Sequence, residues 1–245
     1  MSRNFELLQR VAKDDVLTLS SKPVLPSQKA SPAIPFKQEL PDSEITKLVQ
    51  RLFSPTTNAS GREVVSFSGI ARDDRSSWIC ARAAEALSEQ ADSSICLVDG
   101  NLWAPQLHVH LSAVNSIGWA EALATRDSIR NFVMPLSRPN LWLIPGGQWK
   151  PGMHLSRESY RERFTELREI FHHILISAPA LSREMDATLL GQLADGVALI
   201  VEANRSRRDT VRHAKEQLES AQVRLLGAVL DQRTFPIPEK LYRRL

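Results

Sequence analysis

The run Gly69-Ile70-Ala71-Arg72-Asp73-Asp74-Arg75-Ser76-Ser77 follows a short β-branched and aromatic stretch, Val64–Ser68, and precedes residues of helical spacing. A strand–loop–helix of the form G-x-x-x-x-G-K-[ST] cradles phosphate on backbone N–H groups, with lysine adding a compact charge. Gly69 and Ser76 stand at the matching positions, but Asp74 replaces the second glycine and Arg75 the lysine. Asp74 puts a Cβ where the backbone must approach closely, and adds a carboxylate. One like-charge contact at about 4 Å costs on the order of 4 kcal/mol at an effective dielectric near 20. Arg75 keeps a positive charge, carried on a planar fork. On pattern alone the loop fails the match.

Other reactive side chains have plainer readings. His108 and His110 form an H-x-H pair, and His172 and His173 precede an apolar run. Neither pair has a Cys, His or Asp set at metal-ligand spacing, so structural placement is expected. Ser177 and Ser182 lack the G-x-S-x-G turn of a nucleophilic serine. Arg205, Arg207, Arg208, Arg212 and Lys215 cluster around Asp209. That cluster reads as a solvated helix end, or else as a contact for nucleotide, an acidic partner, nucleic acid or an anionic membrane surface.

These side chains need elements to hold them. Pro41–Phe53 predicts a helix, capped by Asp42 or Ser43, with Ile45, Leu48, Val49 and Leu52 on one face. Strands are predicted at 64–68, 94–99, 140–145, 173–177, 196–202 and 223–230. Helices are predicted at 76–90, 118–125, 157–171, 186–194 and 208–222. Strands alternating with helices imply a doubly wound α/β fold with a mostly parallel sheet in three layers. The strands are continuous apolar runs, as doubly covered parallel strands should be. Ligands of such sheets sit beyond the carboxyl ends of the strands. That singles out the loops 69–77, 99–110, 146–156 and 177–185. Trp142 falls in a strand and is expected in the core. Trp103 and Trp149 fall on site loops, where they close over an empty pocket or form a protein interface.

The 245 residues suffice for one large domain plus a tail, at roughly 150 residues per domain. Apolar residues at 42% and charged residues at 24% exclude a disordered, collagen-like or disulfide-stapled chain. Cys80 and Cys96 lie in apolar segments and read as buried, reduced thiols. No apolar run approaches the roughly 20 residues of a membrane span, and the N-terminus is too charged for a signal peptide. A formal net charge of +3 is too weak to imply nucleic acid by itself. Five of the 14 prolines fall between Ser21 and Pro41, which predicts an extended linker. Before it, Phe5, Leu7, Leu8 and Val11 form a short apolar face, either a frayed terminus or a docking peptide. The expected organisation is 1–42 helix and linker, 43–235 P-loop NTPase-like domain, and 236–245 short basic tail.

Taken in order, the segments over about 43–232 resemble the cytoplasmic domain of the bacterial tyrosine kinases of capsule and exopolysaccharide synthesis. Those kinases sit within the septum-placing and partition P-loop ATPases. The most specific stretch is ICLVDGNLWAPQLH, where Val98, Asp99, Leu102, Pro105, Leu107 and His108 fall in step with L-L-I-D-x-D-x-R-x-P-x-L-H. NLWLIPGG at 140–147 is similar to N-L-x-V-L-P-A-G, and FHHILISAPA at 171–180 to Y-D-x-V-I-I-D-x-P-P. The resemblance implies ATP and magnesium as cofactors. Nucleotide would lie at Gly69, Asp74, Arg75, Ser76 and Ser77, and magnesium at Ser76 and Asp99. Asn101 and Ser177 occupy the other magnesium-side positions, where the family has aspartates. Trp103 replaces an arginine, and Ala180 a proline. The family's tyrosine-rich tail is reduced to Tyr242; Tyr160 is the only other tyrosine. Its E-x-x-R-x-x-R ring contact is represented by Glu44, Lys47 and Gln50, although a homo-oligomer is still allowed.

Alterations in three separate loops predict that efficient phosphoryl transfer has been lost. The expected function is a degenerate member of that kinase family, a regulatory or scaffold component of exopolysaccharide export with nucleotide binding weak or lost. The implied partner is a membrane-embedded polysaccharide chain-length regulator on a separate chain, which would bring this cytoplasmic protein to the inner membrane. The alternative is an active tyrosine autokinase or ATPase of the same pathway, with Asp99 catalytic and Tyr242 the phospho-acceptor. A partition-type nucleic-acid binder is the least favoured reading.

Overall fold

A computed structural model describes residues 41–53, 63–70, 75–150, 153, 155–182, 185–203 and 205–232. The chain divides into two units, Met1–Pro35 and Phe36–Leu245, and all described residues lie in the second. The expected N-terminal helix, most of the proline-rich linker and the 236–245 tail fall outside them.

Helix α1, Asp42–Leu52, buries Ile45, Val49 and Leu52 on one stripe. Its N-cap is Pro41, with no side-chain cap; Asp42 and Ser43 instead lie inside the helix. The fixed φ of proline sets the entry, and the Pro41 carbonyl accepts from the Glu44 N–H at 2.9 Å. Arg82 of α2 (Arg75–Gln90) reaches Asp42 at 2.5 Å and ties the two helices together.

Among the described residues seven strands follow: β1 Glu63–Gly69, β2 Ile95–Asp99, β3 Met134–Pro135, β4 Leu141–Ile144, β5 His173–Ser177, β6 Gly196–Glu202 and β7 Leu225–Asp231. They form one sheet in the order β3-β4-β2-β5-β1-β6-β7. All neighbours are parallel except β3 against β4. The remaining helices are α3 Leu107–His110, α4 Trp119–Ala124, α5 Arg157–Ile170, α6 Met185–Leu193 and α7 Arg208–Ser220. A 3₁₀ turn lies at Ile129–Phe132.

Strand alternation divides the core between two faces. Val65, Phe67, Leu97, Leu175 and Ile200 pack with α1 and α2. Val64, Val98, Ile174 and Ile176 pack on the opposite side with Trp119, Tyr160 and Phe164 of α4 and α5. Val197, Leu199 and Val201 meet Ala214 and Leu218 of α7. Each such fully buried large side chain contributes about 1.5–3 kcal/mol. The result is the expected three-layer, doubly wound α/β fold. Its chain order reverses around β1 and β5, the point beyond whose carboxyl ends ligands of such sheets sit.

The β6–β7 pairing contains an irregularity. Val197 pairs with Leu225, yet Ala198 pairs with Gly227, so Leu226 is the extra residue. A one-residue slip exchanges the faces of everything that follows. Val229 therefore packs on the α1/α2 side, and Asp231, two residues on, shares that face.

Candidate phosphate-loop site

The loops at the carboxyl ends of β1, β2, β4 and β5 converge, as the fold requires. The Gly100 N–H donates to the Ser177 carbonyl at 2.9 Å, and the Leu181 N–H to the Gly69 carbonyl at 3.0 Å. The Ser68 hydroxyl donates to the Pro179 carbonyl at 2.6 Å. The third loop sits against the second, since a Cβ on Gly146 would lie 2.5 Å from the Pro105 Cβ and 3.8 Å from the Asp99 carboxyl carbon.

Arg75 opens α2 and is 2% exposed. Its guanidinium donates twice to one carboxylate, Nε to Asp231 Oδ2 and Nη2 to Asp231 Oδ1, both at 2.6 Å. Asp231 closes β7 and is fully buried. Trp78, one turn along α2, places its ring 4.7 Å from the guanidinium carbon. This is a bidentate charge-assisted pair with an aromatic lid. The sequence reading placed Arg75 in the loop but did not single out Asp231. The available signal was a carboxylate ending an apolar strand, opposite a cation left at an altered motif.

Asp99, at the end of β2, is completely buried. Its Oδ2 accepts from the N–H groups of Gln106 and Leu107, both at 2.9 Å. Its Oδ1 accepts no hydrogen bond among the described residues. Burial pushes the carboxyl up to about 7, against the opposing pull of the Leu107, Gln106 and Asn101 amides. Cys80 on α2 feels the Asp99 charge, and its thiol is raised well above the usual range by burial first and by Asp99 second. Asn101 turns its Oδ1 to the Ala104 N–H at 3.3 Å, bracing the second loop.

Ser77 and Ser177 share a buried hydrogen bond of 2.7 Å between their hydroxyls. Ser177 lies beside Asp99 in the β2–β5 register. Ser76 is buried at the start of α2, and Gly69 ends β1. Thus Gly69, Asp99 and Ser177 end their strands, Asn101 lies on the second loop, and Arg75, Ser76 and Ser77 open α2. Asp74 and Tyr242 lie outside the described residues. Tyr160 is 2% exposed, wedged edge-on against Trp119, and presents no accessible hydroxyl.

The third loop is pinned by Glu121, which accepts from the Gly118 and Gln148 N–H groups at 2.8 and 2.9 Å. Asn115 accepts from the Gly147 N–H at 2.7 Å. A Cβ on Gly118 would lie 2.0 Å from the Pro145 carbonyl oxygen, so only glycine fits there. Trp103 and Trp149 pack on each other, ring centres 4.4 Å apart, with Trp103 58% exposed. Trp142 packs at the margin of the core, tilted against Phe171.

The histidine pairs take structural positions. His172 meets the Ser94 hydroxyl at 3.0 Å, and His173 stacks edge-on with Phe53. Among the described residues no three His, Cys, Asp or Glu side chains group as metal ligands. The basic cluster is largely self-paired, Arg205 to Glu202, Arg212 to Asp209 and Lys215 to Glu219. Both cysteines are free and buried. On α1, Glu44 and Lys47 pair with each other at 2.9 Å on the exposed face.

No protein-family model matches the chain. Among curated proteins it is similar to the tyrosine-protein kinase YwqD of Bacillus subtilis, 24% identical over 144 residues, 58% of this chain and 61% of that protein. It is similar also to the tyrosine-protein kinase CpsD of Streptococcus agalactiae, 25% identical over 177 residues, 70% of this chain and 77% of that one. The succinoglycan biosynthesis transport protein ExoP of Rhizobium meliloti is 23% identical over 177 residues, only 22% of its length. In fold, the chain superposes on the chimerical protein CapA2B2 with a TM-score of 0.71, at 20% identity, covering 84% of this chain and 88% of that one. The cell-division ATPase MinD of Pyrococcus furiosus gives 0.62 at 20% identity, covering 75% and 78%. No helix among the described residues is long and apolar enough to cross a membrane.

Proposed function

We propose, from its resemblance in sequence to the bacterial tyrosine kinases and its P-loop NTPase fold, that the chain is a degenerate kinase-like protein, a regulatory or scaffold component of exopolysaccharide export with nucleotide binding weak or lost. The observation that carries this reading is Arg75. The side chain at the lysine position is buried and engaged by Asp231 at 2.6 Å through two bonds.

Two further features support it. At the end of β5, where the family has an aspartate, this chain has Ser177, whose hydroxyl is engaged with Ser77. The remaining acid, Asp99, has one oxygen held by two amides and a carboxyl raised to about 7, so much of it is protonated near neutrality. Magnesium takes an octahedral shell of oxygens, several of them water, completed by one or two carboxylates and the substrate phosphates. Asp99 is the one carboxylate at these positions, with Asn101 and Ser177 standing where the family has the others, so the set that would hold the ion is reduced.

The partner proposed is a membrane-embedded polysaccharide chain-length regulator on a separate chain, which would hold this cytoplasmic protein at the inner membrane. The relationship to ExoP, a transport protein of succinoglycan biosynthesis, supports the pathway. One observation favours an active ATP-dependent kinase instead: Asp99 is retained at the end of β2 with its Oδ1 unengaged among the described residues. Complementation separates the two. In a source strain lacking the chain, Asp99→Asn and Ser76→Ala variants should restore polymer yield like the unaltered protein. Loss of polymer at normal protein level would establish the enzymatic reading.

A further inference from the structure

We infer that this chain carries its own anion for the P-loop cation: the Asp231 carboxylate takes, on the Arg75 guanidinium, the place that a phosphate group would take, and so closes an anion site from within. The inference deepens the reading above and rests on it for the identity of the loop.

The geometry comes first. A guanidinium fork matches a carboxylate and a phosphate equally well, two parallel N–H···O bonds in either case. Here both bonds, at 2.6 Å, go to a residue 156 positions away at the far end of the sheet. The Trp78 ring lies against the guanidinium, 4.7 Å from its carbon to the ring centre.

The field at this point asks for an anion. Arg75 is the first residue of a 16-residue helix with no acid in its first turn. A cation at the positive end of a helix is disfavoured unless an anion joins it. Asp231 supplies that anion from another element, and the β7 irregularity at Leu226 turns it to the correct face.

Stability does not account for the pair. A buried ion pair is commonly no better than apolar residues of similar volume, because both charges must be desolvated. The place of Arg75 at the lysine position of the loop motif points instead to an anion-binding role for its guanidinium, with the carboxylate as internal competitor. The ligand class excluded is an oxyanion of the phosphate type, free or carried on a nucleotide.

The test uses the full chain and its Asp231→Asn variant, followed by thermal melting and calorimetry with inorganic pyrophosphate at matched ionic strength. The unaltered protein should show no shift at millimolar pyrophosphate. Asp231→Asn should melt lower, be raised by pyrophosphate, and bind it at least about tenfold more tightly than the unaltered chain. Combining it with Arg75→Met should abolish that gain, which a merely structural salt bridge would never show. Parallel titrations with ADP, with and without magnesium, tell a nucleotide site from a free-phosphate site. A folded Asp231→Asn protein that ignores pyrophosphate, or a gain that survives Arg75→Met, overturns the inference. Should Asp231→Asn fail to fold in buffer, Asp231→Ser refolded with and without pyrophosphate decides: anion-dependent recovery supports the inference and its absence overturns it. Tight magnesium-nucleotide binding by the unaltered chain would remove the reading of lost nucleotide binding. The role of Asp231 falls separately, when its removal leaves pyrophosphate affinity unchanged.

Discussion

Arg75 and Asp99 lie at the carboxyl end of the same sheet, one on α2 and one at the end of β2, and both are buried. Their surroundings differ. Arg75 faces a full countercharge from another element, Asp231, in a two-bond fork. Asp99 has two backbone amides on one oxygen, an open second oxygen, and no cation paired with it among the described residues. The cation flank is electrically closed, while the acid flank is left desolvated and titrates near neutrality. On the proposed reading the two flanks differ in kind: the position proposed for phosphate faces an internal ligand, and the proposed magnesium-side position keeps its acid with only backbone amides around it.

The largest expected effect breaks the closed flank. Arg75→Ala or Asp231→Ala leaves one uncompensated buried charge and should lower stability by about 3–5 kcal/mol in urea unfolding. Replacing both, Arg75→Met with Asp231→Leu, should cost less than either single change. If both single variants unfold at the same denaturant concentration as the parent, the flank is not closed by this pair.

The open flank makes a pH prediction. Asp99 has a folded pKa raised from 3.8 to about 7, so the folded state holds its proton more tightly than the unfolded state. That stabilisation is fully present below about pH 4 and is lost as pH rises towards 7. A rise of that size corresponds to on the order of 4 kcal/mol. Asp99→Asn removes the titration, so the variant should gain relative to the parent from pH 4 to 7 and level off above. A constant difference across that range would mean that Asp99 is solvated.

The smallest effect concerns the outer rim. Trp103→Ala removes a half-exposed ring packed at a tilt against Trp149, and should cost about 0.5–1.5 kcal/mol with a change in tryptophan emission. A larger loss would give the second loop a structural weight that its exposure does not suggest.

Much of the fold was legible because burial on both faces makes β2, β5 and β6 read as unbroken apolar runs, and helix α5 shows its buried stripe plainly. The two residues of β3 and the 3₁₀ turn at Ile129–Phe132 are too short for any periodicity to register. The converging loops were legible from strand ends alone. The Arg75–Asp231 pair was not, because the register of β7 depends on one extra residue at Leu226, and no local pattern announces on which face Asp231 will fall. The packing of Trp103 against Trp149, likewise, joins two loops that only the assembled sheet brings together.

The central claim is that the P-loop cation is already occupied, and calorimetric titration of the unaltered chain with ATP and ADP, with and without magnesium, tests it most directly. The account predicts no detectable heat at millimolar nucleotide in either condition. Tight, magnesium-dependent binding would contradict it and place this chain among the working kinases that it resembles.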